Sequence, residues 1–404
     1  MTWKSQWNVS FDECIPEEEA DLSALPRELF YTDTERIIIT IVNPVLLTIG
    51  IISNLAFLFV MLRVPRMRTV TNVYLINLTI ADICFLSLAI GEKLGRYLAS
   101  PIHGDHYPIG HIGCLTIYTL TNASYFVSIY LITMVTMEKY YAICRPYQHR
   151  ARFGGISRSV KISLIGWIIA FCFASILMPV YWKLQTFCII WSPDSNHPYG
   201  LPEIFGYCVP VAEWAINYAN AIQTLPFFTA FAVNFMLYYI IIKSMTERTR
   251  AVVPSDSNTA SGPNTLSGRS PNPRFVALRT KTRNQLAQMV VINGVVFFVC
   301  LAPFEFYSFS LMITSAIDKY LFTQPQRHLA NHICRILLYI NSAINPFVYG
   351  VTNERYRKSF KAAFLSCNWL KHTRERRRSQ ILGTNDGGIF ATTTKNNLPN
   401  ESYT

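Results

Sequence analysis

Two amides, a hydroxyl and a proline interrupt an apolar stretch near the C-terminal end of the chain, at Asn341, Ser342, Asn345 and Pro346. Inside a bilayer every unpaired polar group costs several kcal/mol, so such side chains need partners or a purpose. One interpretation is a kinked helix whose polar side chains bind neighbouring helices. The other is a conformational switch, and these residues alone do not decide between the two.

A lone carboxylate, Asp82, lies within another apolar stretch. A charged group at that depth is expected to face the interior of a helix bundle and to mark an ion site or a functional path. A protonated, hydrogen-bonded structural acid is the alternative.

Two further acids lie near the outer ends of apolar stretches. Glu92 and Arg96 are four residues apart, which predicts an internal ion pair on one helix face. Glu305 lies one turn into a membrane helix, where an unpaired acid is costly. It is expected either to pair with Arg335 or Lys93 or, like Glu92, to receive a basic group of a ligand.

These side chains need a membrane-spanning scaffold. The chain has 404 residues, of which 51% are hydrophobic and only 15% charged, and this composition predicts a membrane protein. Seven apolar stretches are long enough to cross a hydrocarbon core as helices. They are 37–62, 73–98, 112–141, 160–182, 215–242, 286–313 and 328–349. The predicted fold class is therefore an all-α membrane protein, a seven-transmembrane helix bundle with a short amphipathic helix on the inner leaflet.

The formal charge of +12 is divided between the two sides of the membrane, which argues against a nucleic-acid partner. The first 35 residues are acidic, whereas the segments after the first, third, fifth and seventh stretches are basic. The positive-inside rule then predicts a multi-pass protein of the plasma membrane with an extracellular N-terminus and a cytoplasmic C-terminus. The N-terminus has no apolar core, so no cleavable signal peptide is expected.

Composition divides the chain into four parts. Residues 1–35 form an extracellular acidic N-terminus, and residues 36–350 form the bundle, including a Pro-, Ser- and Gly-rich loop at 244–283 that is predicted to be cytoplasmic and disordered. Residues 351–367 are predicted to form an amphipathic helix on the membrane surface, and 368–404 a disordered cytoplasmic tail. Asn8 is a glycosylation acceptor and Cys367 an acylation site.

The loop between the fourth and fifth stretches has two apolar runs around a turn-rich segment, which predicts a β-hairpin over the outer mouth. Four cysteines, Cys14, Cys114, Cys188 and Cys208, are expected to face the oxidising exterior. Their connectivity cannot be obtained from their number alone.

Taken together, these landmarks resemble the rhodopsin-like (class A) G-protein-coupled receptors over roughly residues 37–367. The landmarks are Asn54, segment 78–82, Cys114, segment 138–140, Trp167, Pro226, segment 297–303 and segment 345–349. Segment 334–346 is most similar to the neuropeptide-receptor branch, in particular the thyrotropin-releasing hormone receptors.

The resemblance implies a peptide ligand. Amine receptors have an aspartate where this chain has Thr121, and opsins have a lysine where it has Tyr339. The implied ligand-binding residues line the outer halves of the spans: Glu92, Lys93, Tyr118, Thr121, Asn122, Gln223, Phe304, Glu305, Ser308, His332, Arg335 and Tyr339. Asn122 and Phe304 differ from the pocket tyrosines of thyrotropin-releasing hormone receptors, so a different peptide is expected.

The resemblance also implies an ion site and a disulfide. No cofactor is expected apart from a sodium ion acting as an allosteric ligand, held by oxygens of Asp82, Ser128, Asn341, Ser342 and Asn345. The preferred partner of Cys114 is Cys208, eighteen residues before Pro226, with Cys188 as the alternative. Cys14 and Cys188 are candidates for a second bridge.

The implied switch and G-protein-coupling residues are Glu138, Lys139, Tyr140, Asn345, Pro346 and Tyr349. Several positions depart from the family pattern. Lys139 replaces an arginine, Leu301 a tryptophan and Asn234 a tyrosine, while Arg283 stands where many relatives carry an acid. The usual inactive-state lock is therefore predicted to be absent.

The predicted function is a G-protein-coupled receptor for an extracellular neuropeptide, in which opening of span six activates a heterotrimeric G protein. Phosphorylated Ser and Thr residues would recruit an arrestin. A non-signalling scavenger or weakly coupled receptor is the alternative that Lys139 and Leu301 favour. A seven-span transporter is disfavoured because the two halves of the chain show no self-similarity. An enzyme is disfavoured because the spans contain no HExxH or GxSxG motif and no clustered His or Cys ligands.

Overall fold

The computed structural model describes residues 30–188, 202, 204–212, 214–252, 273–317 and 323–365. In this part of the chain seven long helices form a bundle, and they are called span one to span seven. In chain order they are Asp33–Arg63, Val70–Ala99, Gly110–Cys144, Ile156–Ile176, Trp214–Val252, Pro273–Ala316 and Gln324–Thr352. Span one contains a π-helical turn at Ile38–Val42. A short helix, Pro146–Phe153, follows span three, and Glu354–Leu365 forms a helix after span seven.

Spans one to six are each long and apolar enough to cross a membrane. By the same test on the described residues, span seven does not qualify, unlike the expectation for stretch 328–349. Its inward face carries buried polar side chains, among them His332, Asn341 and Asn345, and these lower its apolar content. Span seven is therefore a helix that depends on its neighbours to cover polar groups.

Span three is the central element, since it packs against spans two, four, five and six. Span seven packs between spans six and one. Two polar side chains of span one hold this last contact together. Asn54 Nδ2 donates to the carbonyls of Gly50 and Ser342 at 2.9 Å each, and Ser53 Oγ donates to the carbonyl of Ala343 at 3.1 Å.

The loop between spans four and five forms the predicted hairpin. Strands β1 (Lys183–Cys188) and β2 (Ile204–Val209) are antiparallel, with Leu184 opposite Cys208. A disulfide joins Cys114 to Cys208, with a Cα–Cα distance of 5.9 Å, and ties the top of span three to β2. The preferred pairing is confirmed, and the alternative partner for Cys114, Cys188, is wrong. The proposed second bridge involves Cys14, which lies outside the described residues.

The boundaries of the segment between spans five and six differ from those predicted. Residues 244–252 continue span five and residues 273–283 belong to span six, so both ends of the predicted disordered loop are helical. These ends are rich in Lys, Arg and Glu, which form helices readily once the chain leaves the bilayer. Residues 253–272 and 366–404, which include Cys367, and residues 1–29, which include Asn8, lie outside the described residues.

The helix Glu354–Leu365 lies where the amphipathic pattern predicts one. Asn353 begins it, because its side-chain oxygen accepts a hydrogen bond from the backbone N–H of Arg355 at 2.9 Å. Tyr356 is buried against Phe57 and Tyr349, whereas Phe364 is exposed. One face of this helix is therefore free for lipid, and its position on the inner leaflet stays a prediction.

Candidate ligand pocket and switch residues

Spans two and three share a buried polar network at the end of the bundle that carries the hairpin. Arg96 Nε lies 2.5 Å from Glu92 Oε1, which confirms the predicted ion pair. Tyr118 also donates to Glu92 Oε1 at 2.8 Å, and His106 Nε2 lies 2.8 Å from the Tyr118 hydroxyl. Because that hydroxyl donates to Glu92, His106 acts as the donor to Tyr118. Burial, assisted by the Arg96 charge, lowers the pKa of His106 to about 4, so its ring is neutral at pH 7.

Glu305 has a different partner from those predicted. The residue is fully buried in span six, and one carboxylate oxygen, Oε1, accepts a hydrogen bond from Tyr125 of span three. Its other oxygen, Oε2, has no hydrogen-bond partner among the described residues. Within the described ranges neither Arg335 nor Lys93 makes an ion pair with Glu305, so that prediction is wrong.

Arg335 is held elsewhere in span seven. Its Nε donates to Asn331 Oδ1 at 3.0 Å, and its guanidinium lies over the Phe304 ring, 5.7 Å from the centroid. The pocket residues thus fall into contacting groups: Glu92 with Tyr118, Phe304 with Arg335, and Glu305 with Tyr125. Tyr125 was missed by the sequence analysis, because nothing in its local pattern distinguishes it from a core tyrosine.

Other predicted pocket residues lie on the expected helices. Thr121 Oγ1 donates to the Ile117 carbonyl of its own helix at 2.8 Å, and the Tyr339 ring packs 6.0 Å from that of Phe85. Ser308 is buried in span six. Among the described residues no hydrogen bond joins Asn122 or Gln223 to the other pocket residues.

The five oxygen-bearing residues predicted to hold sodium cluster at mid-depth. Asn345 Nδ2 donates to Asp82 Oδ2 at 2.8 Å. Asp82 Oδ1 and Asn341 Oδ1 are buried without a hydrogen-bond partner in the described part of the chain. A small cavity nearby, with room for about one water-sized particle, is lined by Ser128, Asn341 and Ser342 together with Phe85, Tyr125, Phe297, Leu301 and Leu338, whereas Asp82 and Asn345 are not among its lining residues. Unsatisfied carboxylate and amide oxygens fit a small, hard cation.

The C-terminal end of span three contains a buried charge network. Lys139 Nζ lies 2.6 Å from Glu138 Oε2 and donates to Thr71 Oγ1 at 2.5 Å. Thr71 Oγ1 in turn lies 3.1 Å from Glu138 Oε2, and His149 Nε2 lies 3.0 Å from Glu138 Oε1. Glu138 and Lys139 are 3% and 5% exposed, so both charges are buried within the bundle. Spans two and three and the helix Pro146–Phe153 are joined here.

A tyrosine of span five, Tyr238, contacts span three one turn beyond Asn234, the position at which the family pattern has its relay tyrosine. Asn234 donates to Thr133 Oγ1 at 2.8 Å, and one turn later the Tyr238 hydroxyl lies 3.0 Å from Thr136 Oγ1 of span three. Tyr238 was missed, although its spacing of four from Asn234 places both on one helix face. Tyr349 packs between Phe57 and Tyr356. Tyr140 lies against the small apolar cluster of Ile143, Ile241 and Ala287.

Span six can approach Tyr238 only because it has a glycine there. A Cβ at Gly294 would lie 1.7 Å from the Tyr238 hydroxyl oxygen. Gly294→Ala should therefore displace the Tyr238 ring, break its hydrogen bond to Thr136 and destabilise the fold by about 1–3 kcal/mol. A drop in the thermal inactivation temperature of detergent-solubilised protein measures this effect.

Gly91→Ala provides the control, since no atom lies within 4 Å of a Cβ at that position. It should leave the inactivation temperature unchanged or raise it. In a Tyr238→Ala background, the Gly294→Ala change should leave the inactivation temperature almost unchanged. An equal loss in both backgrounds would show that the clash with Tyr238 is not the cause.

The family model described as 7 transmembrane receptor (rhodopsin family) matches residues 53–349. The chain belongs to the rhodopsin family of seven-transmembrane receptors. It is therefore a receptor rather than an enzyme, and a multi-pass protein of the plasma membrane. The mid-depth oxygen cluster and the span-three charge network both lie wholly within the matched range.

Several curated relatives are similar over most of the receptor's length. The receptor is 27% identical to the thyrotropin-releasing hormone receptor of Ovis aries over 323 residues, 78% of this chain and 74% of that protein. It is 24% identical to somatostatin receptor type 2 of Mus musculus over 348 residues, 83% and 79% of the two chains. It is 23% identical to galanin receptor 2a of Danio rerio over 337 residues, 82% of this chain and 78% of that protein.

Proposed function

We propose that this receptor binds an extracellular neuropeptide and activates a heterotrimeric G protein. The relatives it resembles are named for peptide ligands, which supports a peptide as the ligand class. The single observation that carries the proposal furthest is Glu305. A fully buried acid with one bonded and one unpartnered oxygen is costly to maintain, and a cationic group of a ligand would satisfy it.

Binding would act by shifting populations between two states. The Tyr125–Glu305 bond joins span three to span six, so a ligand that competes for Glu305 changes the contact between these helices. Outward movement of span six would then open a cleft for a helix of the G protein. We also infer an extracellular N-terminus and a cytoplasmic C-terminus, because the segments after spans one, three, five and seven are basic. Arrestin and inner-leaflet lipid are further proposed partners.

Nucleotide exchange in membranes containing the receptor and a heterotrimeric G protein tests the function. A library of neuropeptides should contain at least one that stimulates exchange, and membranes without the receptor should not respond. The buried Glu138–Lys139 network favours a second candidate, a receptor that binds peptide but couples weakly. Peptide binding without exchange would support that candidate, and solute flux would support a transporter.

We further propose that the mid-depth cluster of Asp82, Ser128, Asn341, Ser342 and Asn345 binds sodium. The unpartnered oxygens of Asp82 and Asn341 support it, since a hard cation takes oxygen ligands and one carboxylate balances its charge. The ion would favour the inactive state, so that agonist and sodium weaken each other's binding.

Asp82→Asn is expected to abolish any sodium dependence of agonist affinity. The substitution keeps the size of the side chain and removes the charge that holds the ion. The measurement is agonist competition binding in sodium chloride against an organic-cation chloride at equal ionic strength. Sodium sensitivity that persists in the variant would contradict the assignment.

A further inference from the structure

Three side chains from distant parts of the sequence meet at the outer end of the bundle. Glu35 belongs to the first turn of span one, His103 to the loop after span two, and His332 to the outer part of span seven. Glu35 Oε1 lies 3.3 Å from His103 Nε2 and 3.4 Å from His332 Nε2. All three donor atoms lie within 4.8 Å of one another. Glu35 and His332 are buried, and His103 is partly exposed.

The carboxylate of Glu35 is oriented before any ligand arrives. Its second oxygen, Oε2, accepts hydrogen bonds from the backbone N–H and the hydroxyl of Thr32, at 3.0 and 3.1 Å. This capping box requires only one of the two oxygens. The other oxygen is left pointing at both imidazoles, as expected of a metal-binding carboxylate held by outer hydrogen bonds.

The loop carrying His103 is also fixed in place. Phe30 pairs with Ile102 in an isolated antiparallel bridge, which joins the segment before span one to the residue before His103. The Tyr31 ring packs edge-on against the His103 ring, with centroids 5.2 Å apart. The three donors therefore come from elements that other contacts hold together.

The donor set selects the class of metal. Two imidazole nitrogens and one carboxylate oxygen are the ligands of an open, tetrahedral zinc site. Sodium, calcium and magnesium prefer oxygen ligands and suit this set poorly. The fourth position has a candidate in His328, which is exposed, lies one turn before His332 on span seven, and has its ring 4.9 Å from that of His103.

We propose that Glu35, His103 and His332 form a zinc-binding site, with His328 or a water molecule as the fourth ligand. Bound Zn²⁺ joins the N-terminal segment, the loop after span two and the outer end of span seven. Arg335 lies one turn beyond His332 on span seven, so the site borders the proposed ligand pocket. Zinc and peptide binding are then coupled. Bound zinc changes the receptor's affinity for peptide, and bound peptide changes its affinity for zinc, by the same factor.

Two nearby cations limit the affinity of this site for zinc. Lys93 and Arg335 both act electrostatically on His332, and their positive charges oppose a divalent cation. Binding should accordingly be weaker than at a structural zinc site, which fits a metal that modulates a receptor rather than one required for folding.

The test uses the purified full-length receptor, stripped with a chelator and titrated with ZnCl₂ while its thermal unfolding is followed. Zinc should raise the unfolding temperature of the wild type, whereas Mg²⁺ and Ca²⁺ should not. Glu35→Gln and His103→Ala should each weaken the apparent zinc affinity about tenfold or more. His111→Ala, at an exposed histidine outside the cluster, should behave as the wild type.

His103→Cys separates metal binding from a simple Glu35–histidine ion pair. A thiolate is a zinc ligand, but a cysteine cannot act as a cation towards Glu35. Zinc stabilisation that returns in His103→Cys supports the site, whether or not the receptor responds to any peptide. Absence of a zinc-dependent shift in the wild type, or a full shift in both His103→Ala and Glu35→Gln, would overturn it.

Discussion

Glu305→Ala is expected to reduce the potency of a basic peptide agonist by about 30-fold or more, since removing one partner of a buried charge pair costs about 2–5 kcal/mol. An analogue in which norleucine replaces the basic residue of that peptide should lose far less. The difference arises because only the basic peptide uses the unpartnered oxygen of Glu305. Concentration–response curves for nucleotide exchange, corrected for surface expression, measure both losses.

Tyr125→Phe is the matched control for this prediction. It removes the hydroxyl that donates to Glu305 and leaves the carboxylate in place. If Glu305 receives a basic group, the variant should retain the preference for the basic peptide. If the acid serves only to hold spans three and six together, Glu305→Ala should weaken both peptides equally, and Tyr125→Phe should do the same.

Glu138→Gln is expected to raise ligand-independent nucleotide exchange severalfold and to lower the stability of the receptor. The carboxylate of Glu138 is the counter-charge of a lysine that is only 5% exposed. Breaking a buried pair by removing one partner costs about 3–5 kcal/mol, because the remaining charge is left uncompensated. That cost falls on the state in which spans two and three are joined, so states in which this end of the bundle is rearranged become more populated.

Two further variants test whether the Glu138–Lys139 pair restrains the receptor. Glu354→Gln removes a carboxylate from an exposed pair with Lys358 and should change neither basal exchange nor stability. Glu138→Gln combined with Lys139→Met removes both charges and should recover stability while basal exchange stays high. A double variant that is stable but has wild-type basal exchange would mean that this network does not restrain the receptor.

The contacts that could be predicted from the sequence are those that follow from a local spacing rule or from a position shared with the receptor family. The Glu92–Arg96 pair follows from a spacing of four on one helix, and the Cys114–Cys208 bridge from its place before Pro226. The helix Glu354–Leu365 follows from its amphipathic pattern.

The contacts that could not be predicted depend on how helices are rotated against one another. Glu305 was assigned to Arg335 or Lys93 by charge, yet it bonds to the neutral hydroxyl of Tyr125. Glu35, His103 and His332 are far apart in sequence, and no motif connects them. Only the packed structure shows that they face a common point.

The contact between spans one and seven has a consequence for the order in which the receptor assembles. Pro346 has no N–H, so the carbonyl of Ser342, four residues earlier, loses its normal helical partner. The Asn54 side chain supplies the missing hydrogen bond from span one. The Ser342 carbonyl of span seven, the least apolar of the seven described spans, therefore finds this hydrogen bond in the bilayer only when span one is already in place. We expect the first and last helices to be the final pair to close, which makes Asn54 a determinant of biogenesis as well as of the folded state.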